Sequence, residues 1–305
     1  MVWVMTDMQR VLAFATGKGG TGKTSCAANV AGLAAAAGWR TLLIDLDSQG
    51  NCGHDLGYRW DDLSDNGEHL VNTLVAGGQL TAVLPESRPN LDVICGGDRL
   101  DDLDDVVAGR ERRGQDGRSL LRHALTQAAT EYDLILIDTP PSRRSPLVLL
   151  ALTAARWIVV PTKSDRASIE GLQVLGRQIL DIRETTNPDL EVLGAVLFDL
   201  GSSATVIRRD AAQDVTDALG GAAPLLEAVI RHAEQVAVQA RETGRPVHEL
   251  AEVANAAEPY WKALKEGRRP DRVPGTAPAL AEDYVLLAQE ILTRIDAAEQ
   301  EAQTA

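Results

Sequence analysis

Basic residues, cysteines, aromatics and long apolar runs are all scarce in this 305-residue chain, and each scarcity excludes something. Thirty lysines and arginines face 44 aspartates and glutamates, a net charge of −14. That balance excludes a uniformly basic nucleic-acid coat while leaving room for a local basic patch. The three cysteines, Cys26, Cys52 and Cys95, are odd in number, widely spaced and without a CxxC pair. No disulfide framework is expected of them, and a reducing cytosol is the natural setting. No apolar run approaches the ~20 residues of a membrane span, and the start, MVWVMTDMQR, does not read as a secretory signal. Aromatics make up only 4%, yet the hydrophobic share, 45%, is ordinary for a globular chain. The length suffices for one large α/β domain or two small ones.

What the chain does contain is an alternation of short β-branched apolar runs with longer helical stretches. Strands are expected at Val11–Thr16, Thr41–Leu46, Leu91–Cys95, Leu134–Asp138, Trp157–Pro161 and Val192–Phe198. These are continuous apolar runs, as strands covered on both faces of a parallel sheet require. Helices are expected at Thr24–Ala37, Arg118–Ala129, Ser168–Arg183, Ala204–Leu219 and Leu280–Ala297, the last with Leu286, Leu287, Ile291, Leu292 and Ile295 toward the core. The acid-rich stretch 98–118 reads as a solvated helix face or a loop. The pattern predicts an α/β fold: a doubly wound, mostly parallel sheet flanked by helices. Residues 1–9 read as an N-terminal tail and 10–298 as a single domain. Within that domain a proline-containing surface insertion is expected at about 251–279, and 299–305 form a C-terminal tail.

The most informative segment is GKGGTGKTS, Gly17 to Ser25, directly after the first strand and opening the first helix. Gly17, Gly22, Lys23 and Thr24 fit the GxxxxGK[ST] phosphate loop. Glycines let backbone N–H groups wrap a polyphosphate, and the helix N-terminus adds its positive dipole end. Lys23 supplies a compact charge for the β- and γ-phosphates, and the Thr24 hydroxyl a ligand for Mg2+. Asp45 and Asp47 end the second strand in LLIDLDSQGN, and Asp138 ends another in LILIDTPPS, where ligands gather in open α/β sheets. Asp138 stands where a Walker B acid supports Mg2+. Metal or water duties are expected of Asp47 and Asp138, and metal support is also considered for Asp45.

Lys18 is not required by the generic loop. With it, KGGTGKT resembles the deviant Walker A motif of the ParA/MinD family of ATPases. TLLIDLDSQGN, LILIDTPPS and VVPTKSDRASIEGLQVL are similar to that family's later motifs, so the resemblance covers roughly residues 10–250 plus the final helix. It implies a P-loop ATPase using ATP and Mg2+ that forms an ATP-sandwich homodimer. Gly17, Lys18, Gly19, Gly20, Thr21, Gly22, Lys23, Thr24 and Ser25 would then bind the nucleotide. Lys18 would reach the phosphates bound by the other subunit, Lys23 would hold those of its own, and Ser25 would lie near the α-phosphate. Asp47 would orient the attacking water, and Thr24 and Asp138 would support the metal, with Asp45 beside them.

The resemblance further implies a cytoplasmic, nucleoid-associated partition protein for plasmid or chromosome DNA. Such a protein binds DNA without sequence preference as the ATP dimer and is stimulated by a ParB-like centromere-binding partner. Arg208, Arg209, Arg231 and Arg241 fall where family DNA contacts lie, although residues 201–250 hold five arginines against seven acids. A family ATPase that positions a protein cargo is an alternative. A MinD-like membrane-cycling regulator is another, but the acidic ending DAAEQEAQTA argues against it and no membrane contact is expected. Thr162–Asp165 spells TKxD, a guanine-reading pattern, one strand too early for that role. Adenine contacts are expected instead near Phe198, Asp199 and Arg231.

Overall fold

A computed structural model describes residues 8–60, 63–141, 145–201, 205–219, 223–256, 262, 265, 267 and 274–304. Of residues 60, 205–211 and 303 it describes the backbone alone. In chain order the elements are β1 (Val11–Phe14), α1 (Lys23–Ala36), β2 (Thr41–Asp45), α2 (Cys52–Leu56), α3 (Glu68–Ala76), β3 (Leu84–Arg88), β4 (Leu91–Ile94) and α4 (Leu100–Arg112). There follow α5 (Leu120–Ala124), α6 (Ala128–Glu131), β5 (Leu134–Asp138), α7 (Pro146–Ala154), β6 (Trp157–Thr162), α8 (Arg166–Thr185) and β7 (Glu191–Leu200). The chain ends with α9 (Thr205–Ala218), β8 (Leu225–Arg231), α10 (Glu234–Thr243), α11 (Val247–Ala256) and α12 (Ala277–Thr304). The strands form one eight-stranded sheet in the order β3-β4-β2-β5-β1-β6-β7-β8, parallel throughout except for the antiparallel edge pair β3–β4.

The continuous apolar strands are explained by a separate core on each face of the sheet. Successive strand side chains point to opposite faces. Val11 and Ala13 of β1, Leu42 and Ile44 of β2, and Ile135 and Ile137 of β5 therefore enter one core, with Leu70, Leu100, Leu121, Leu150 and Leu175 of the covering helices. Leu12 and Phe14, Leu43, and Leu134 and Leu136 enter the other, with Val30 of α1, Leu250 of α11 and Leu287 and Ile291 of α12. Every β1, β2 and β5 residue is buried, so their carboxyl ends form a fixed platform.

Several elements differ from the sequence expectation for physical reasons. The helix expected over 118–129 is broken into α5 and α6. Between them the Thr126 hydroxyl donates to the His123 carbonyl at 2.9 Å and the Gln127 N–H donates to Gln79 Oε1 at 3.0 Å, both in place of helical bonding. The acidic stretch is the helix α4, which buries Leu100, Leu103 and Val107 while its aspartates flank them. The final helix is longer than expected and runs to Thr304. Arg10 grips it by a bidentate pair to Glu299, 2.7 Å on each arm, and Glu290 accepts the N–H groups of Glu227 and Ala228. Leu286, expected in the core, is half exposed; Leu280 and Tyr284 are buried on that helix instead. Residues 251–256 of the expected insertion belong to α11, and most of 257–273 lies outside the described residues.

Candidate active site

The loop between β1 and α1 follows directly from its glycines. Gly20 and Gly22 adopt left-handed φ of +73° and +87°, which residues with a Cβ rarely enter. Gly22 opens α1 with no side-chain cap and no acid in the first turn, so the first N–H groups of a 14-residue helix face an anion-binding position. Close packing adds a second demand. A Cβ on Gly17 would stand 2.0 Å from the Gly171 carbonyl oxygen of α8, and one on Gly22 would stand 2.2 Å from the Phe198 ring.

Three strand ends then deliver the reactive side chains to this loop. Lys23 is 6% exposed; burial lowers the pKa of its ammonium, and the charges of Asp138 and Asp47 oppose that shift. The Thr24 hydroxyl donates to Asp138 Oδ2 at 2.7 Å. Asp138 sits beside Asp45 in the β2–β5 register, and both are fully buried. Burial pushes the Asp138 carboxyl up to about 7, against the pull of Thr24 and Lys23. Asp138 Oδ1 has no hydrogen-bond partner among the described residues. Asp45 is raised well above the carboxylate range by burial and by Asp138, and its oxygens accept the N–H groups of Asp47 at 2.9 Å and Cys52 at 3.1 Å. Asp45 thus braces the turn into α2. Asp47 accepts from the Gln49 N–H at 3.0 Å and from Asn51 Nδ2 at 3.5 Å, which aims its carboxylate from a structured loop.

Other expected residues stand elsewhere. Lys18 turns away from Lys23: its Nζ donates to Asp165 Oδ1 at 2.8 Å and reaches Ser168 Oγ at 3.5 Å. Asp165 caps α8 through the Ser168 N–H, and Lys18 together with Ser168 brings its carboxyl down to about 2. The TKxD segment is thereby divided between a helix cap and a pair from Lys163 Nζ to Asp199 Oδ2 at 2.5 Å; Asp199 also meets His232 Nδ1. Burial raises the carboxyl of Asp55 against the pull of Arg241, which meets it at 3.1 Å, and of the nearby Ser25. Arg231 is clamped by Asp283 of α12 through Nε at 2.6 Å and Nη2 at 2.7 Å. Of the four arginines considered for DNA, Arg231 and Arg241 are therefore ion-paired within the fold, and the side chains of Arg208 and Arg209 lie outside the described residues. The sequence reading missed Cys52, whose Sγ is 3.6 Å from Asp138 Oδ2, and the Phe198–Gly22 contact. Only the position of Cys52 seven residues after Asp45, at the start of a helix, could have signalled the first.

A nucleotide with Mg2+ fits these residues. The buried Asp138 oxygen without a partner, the Thr24 hydroxyl, the low-exposure Lys23 and the uncapped helix end are complementary to a metal-bound polyphosphate. A family model described as an AAA domain matches residues 9–192. The chromosome partitioning protein ParA of Caulobacter vibrioides is 34% identical over 260 residues, covering 84% of this chain and 93% of that protein. This chain belongs to the ParA/MinD family of P-loop ATPases. The ParA of Myxococcus xanthus is 36% identical over 199 residues, 65% of this chain and 67% of its own length. Among solved structures, a cobyrinic acid a,c-diamide synthase from Mycobacterium smegmatis with bound ADP and magnesium is 28% identical with a TM-score of 0.62, covering 86% of this chain and 97% of that one. In this ParA-family ATPase no helix among the described residues is long and apolar enough to cross a membrane.

Proposed function

We propose that this chain is a DNA-partition switch: an ATPase that closes into a homodimer around two Mg2+-bound ATP molecules. It binds DNA without sequence preference in that state and separates after hydrolysis, stimulated by a ParB-like partner. Residues 10–298 act as one ATPase domain in this reading. The observation that carries it is the separation of the two loop lysines. Lys23 is buried among Asp47, Asp138 and Thr24, whereas Lys18 stands outside that pocket, a third exposed and held by Asp165. A cation beside the phosphate loop but turned out of its own site is suited to a second subunit.

In the proposed reaction the N–H groups of 17–25 hold the phosphates and Lys23 offsets their charge. Ser25 stands by the α-phosphate. Asp47 orients a water toward the γ-phosphorus; the P–O bond to the bridging oxygen breaks, ADP departs and the water's proton passes to the released phosphate. Mg2+ held here would supply charge neutralisation for the phosphates. Thr24 and Asp138 would hold it, with Asp45 fixing the loop behind them. Such catalysis is positioning and charge cancellation, so Lys18 supplied by a partner couples turnover to dimerisation. Adenine is proposed to lie near Phe198 and Asp199.

DNA contact falls to Arg208 and Arg209, with Arg231 and Arg241 engaged only if dimerisation loosens their pairs with Asp283 and Asp55. The net charge of −14 suits a basic peptide of a ParB-like partner. The decisive experiment is the ATPase rate with and without DNA and such a partner, alongside DNA affinity against salt. The reading requires stimulation and a steep loss of affinity, with a log–log slope of about −0.9 per phosphate contacted. A flat salt response, or ATP-dependent pelleting with liposomes in place of DNA binding, overturns it.

A further inference from the structure

We propose that Asp45, Cys52 and Asp138 form a binding site for a thiophilic divalent cation of the zinc class, set behind the nucleotide pocket. One ligand atom from each of the three residues lies within 4.8 Å of the other two, and all three side chains are buried. They arrive on different elements: Asp45 at the end of β2, Asp138 at the end of β5, and Cys52 as the first residue of α2. The Cys52 N–H donates to Asp45 Oδ2 at 3.1 Å, which fixes the thiol against the two carboxylates.

The spacing suits a small tetrahedral ion. With metal–sulfur and metal–oxygen bonds of about 2.3 and 2.0 Å, a tetrahedral angle sets sulfur and oxygen about 3.5 Å apart. The Cys52 thiol donates to Asp138 Oδ2 at 3.6 Å, so a cation here takes the place of the thiol proton. Three protein ligands with a fourth position for water is the coordination of an open zinc site. Asp45 can join because each of its oxygens accepts one backbone N–H and keeps a lone pair.

Two buried polar atoms without partners point to an occupant. Asp138 Oδ1 has no hydrogen-bond partner among the described residues, and neither does the hydroxyl of Tyr58, which is 5% exposed. The Tyr58 ring lies beside Gly53, the residue after Cys52: a Cβ on Gly53 would stand 2.9 Å from its Cε2. Unsatisfied buried polar atoms are costly; one of these belongs to the cluster itself and the other to the neighbouring ring. The site shares Asp138 with the Mg2+ position, and the Cys52 donor is what distinguishes the two. Mg2+ demands octahedral oxygen ligands, whereas a thiolate selects softer cations. Thr24, half-buried and bonded to Asp138, opens the cluster toward the nucleotide side.

The test is a cadmium titration of the nucleotide-free full-length chain, followed by the thiolate-to-cadmium charge-transfer absorption. One equivalent should bind, Zn2+ should displace it, and excess Mg2+ should not. Cys52→Ser should remove the band and weaken binding by at least about tenfold; Cys26→Ser and Cys95→Ser should retain both. Cys52→Ala, checked by circular dichroism, covers the case in which the serine variant misfolds. Absence of the band in the parent protein, its survival without Cys52, or displacement by Mg2+ overturns the site. No nucleotide is present in this experiment, so its failure leaves the partition reading intact, and failure of ATP-driven dimerisation leaves cadmium binding untouched.

Discussion

Asp165→Asn should make the ATP-bound dimer tighter. In the free chain Lys18 Nζ is 2.8 Å from Asp165 Oδ1, and the two side chains are 33% and 45% exposed. A pair so open to solvent is worth only about 0.2–1 kcal/mol. Closing a dimer in which each Lys18 crosses to the other subunit breaks two such pairs, a cost of about 0.4–2 kcal/mol, or about 2- to 30-fold in the dissociation constant. Asparagine removes the charge but keeps an oxygen for the Ser168 N–H, so the cap on α8 survives. The effect has a pH signature. The Asp165 carboxyl is depressed to about 2 by Lys18 and Ser168, so the pair is complete above about pH 4 and lost as pH falls toward 2. The parent–variant difference should therefore be constant from about pH 5 to neutrality, above that range. Sedimentation velocity with ATP and Mg2+, in an Asp47→Ala background that holds ATP, reads the constant directly. An unchanged or weaker dimer from a variant with unaltered melting temperature would refute a Lys18 that must leave Asp165.

Asp47→Ala should bind ATP and dimerise but lose turnover by about 100-fold or more in a phosphate-release assay, since the loss is of water positioning. Normal hydrolysis would move that role elsewhere. Gly17→Ala places a Cβ 2.0 Å from the Gly171 oxygen and should cost about 1–3 kcal/mol or more in urea unfolding, whereas Gly275→Ala, with nothing within 4 Å, should be nearly silent. Equal effects would mean that the approach of the phosphate loop to α8 is not tight. Asp138, raised by burial to about 7, keeps its proton in the native state after the unfolded chain has lost it near its ordinary 3.8. Stability of the nucleotide-free protein should therefore fall as pH rises from about 4 to 7, and Asp138→Asn should flatten that slope in thermal melts. A slope unchanged by the substitution would place the proton on another group.

The platform of the site was legible in the sequence because it is built from fully buried elements. VLAF, TLLID and LILID are apolar on both faces, and each ends in the loop or carboxylate that the chemistry uses. The sheet edges were not. β3 carries Pro85, Glu86 and Ser87 and pairs on one side with β4, so its pattern is that of a loop. β8 alternates buried Leu226, Ala228 and Ile230 with half-buried or exposed neighbours, a half-covered edge unlike the central strands. Charge partners were the other blind spot. Arg231 looks available in sequence, yet Asp283 lies 52 residues away and meets it only once α12 packs beside β8. Lys18 likewise reads as a free cation until α8 brings Asp165 to it across 147 residues. Cys52 carries no motif of its own and acquires meaning only when β5 sets Asp138 beside it.

The most direct measurement is sedimentation of the parent chain and of Lys18→Ala, each with Mg2+ and a nonhydrolysable ATP analogue. The account predicts a dimer for the parent and a folded, nucleotide-binding monomer for the variant. A parent that stays monomeric, or a variant that dimerises as readily, would contradict it.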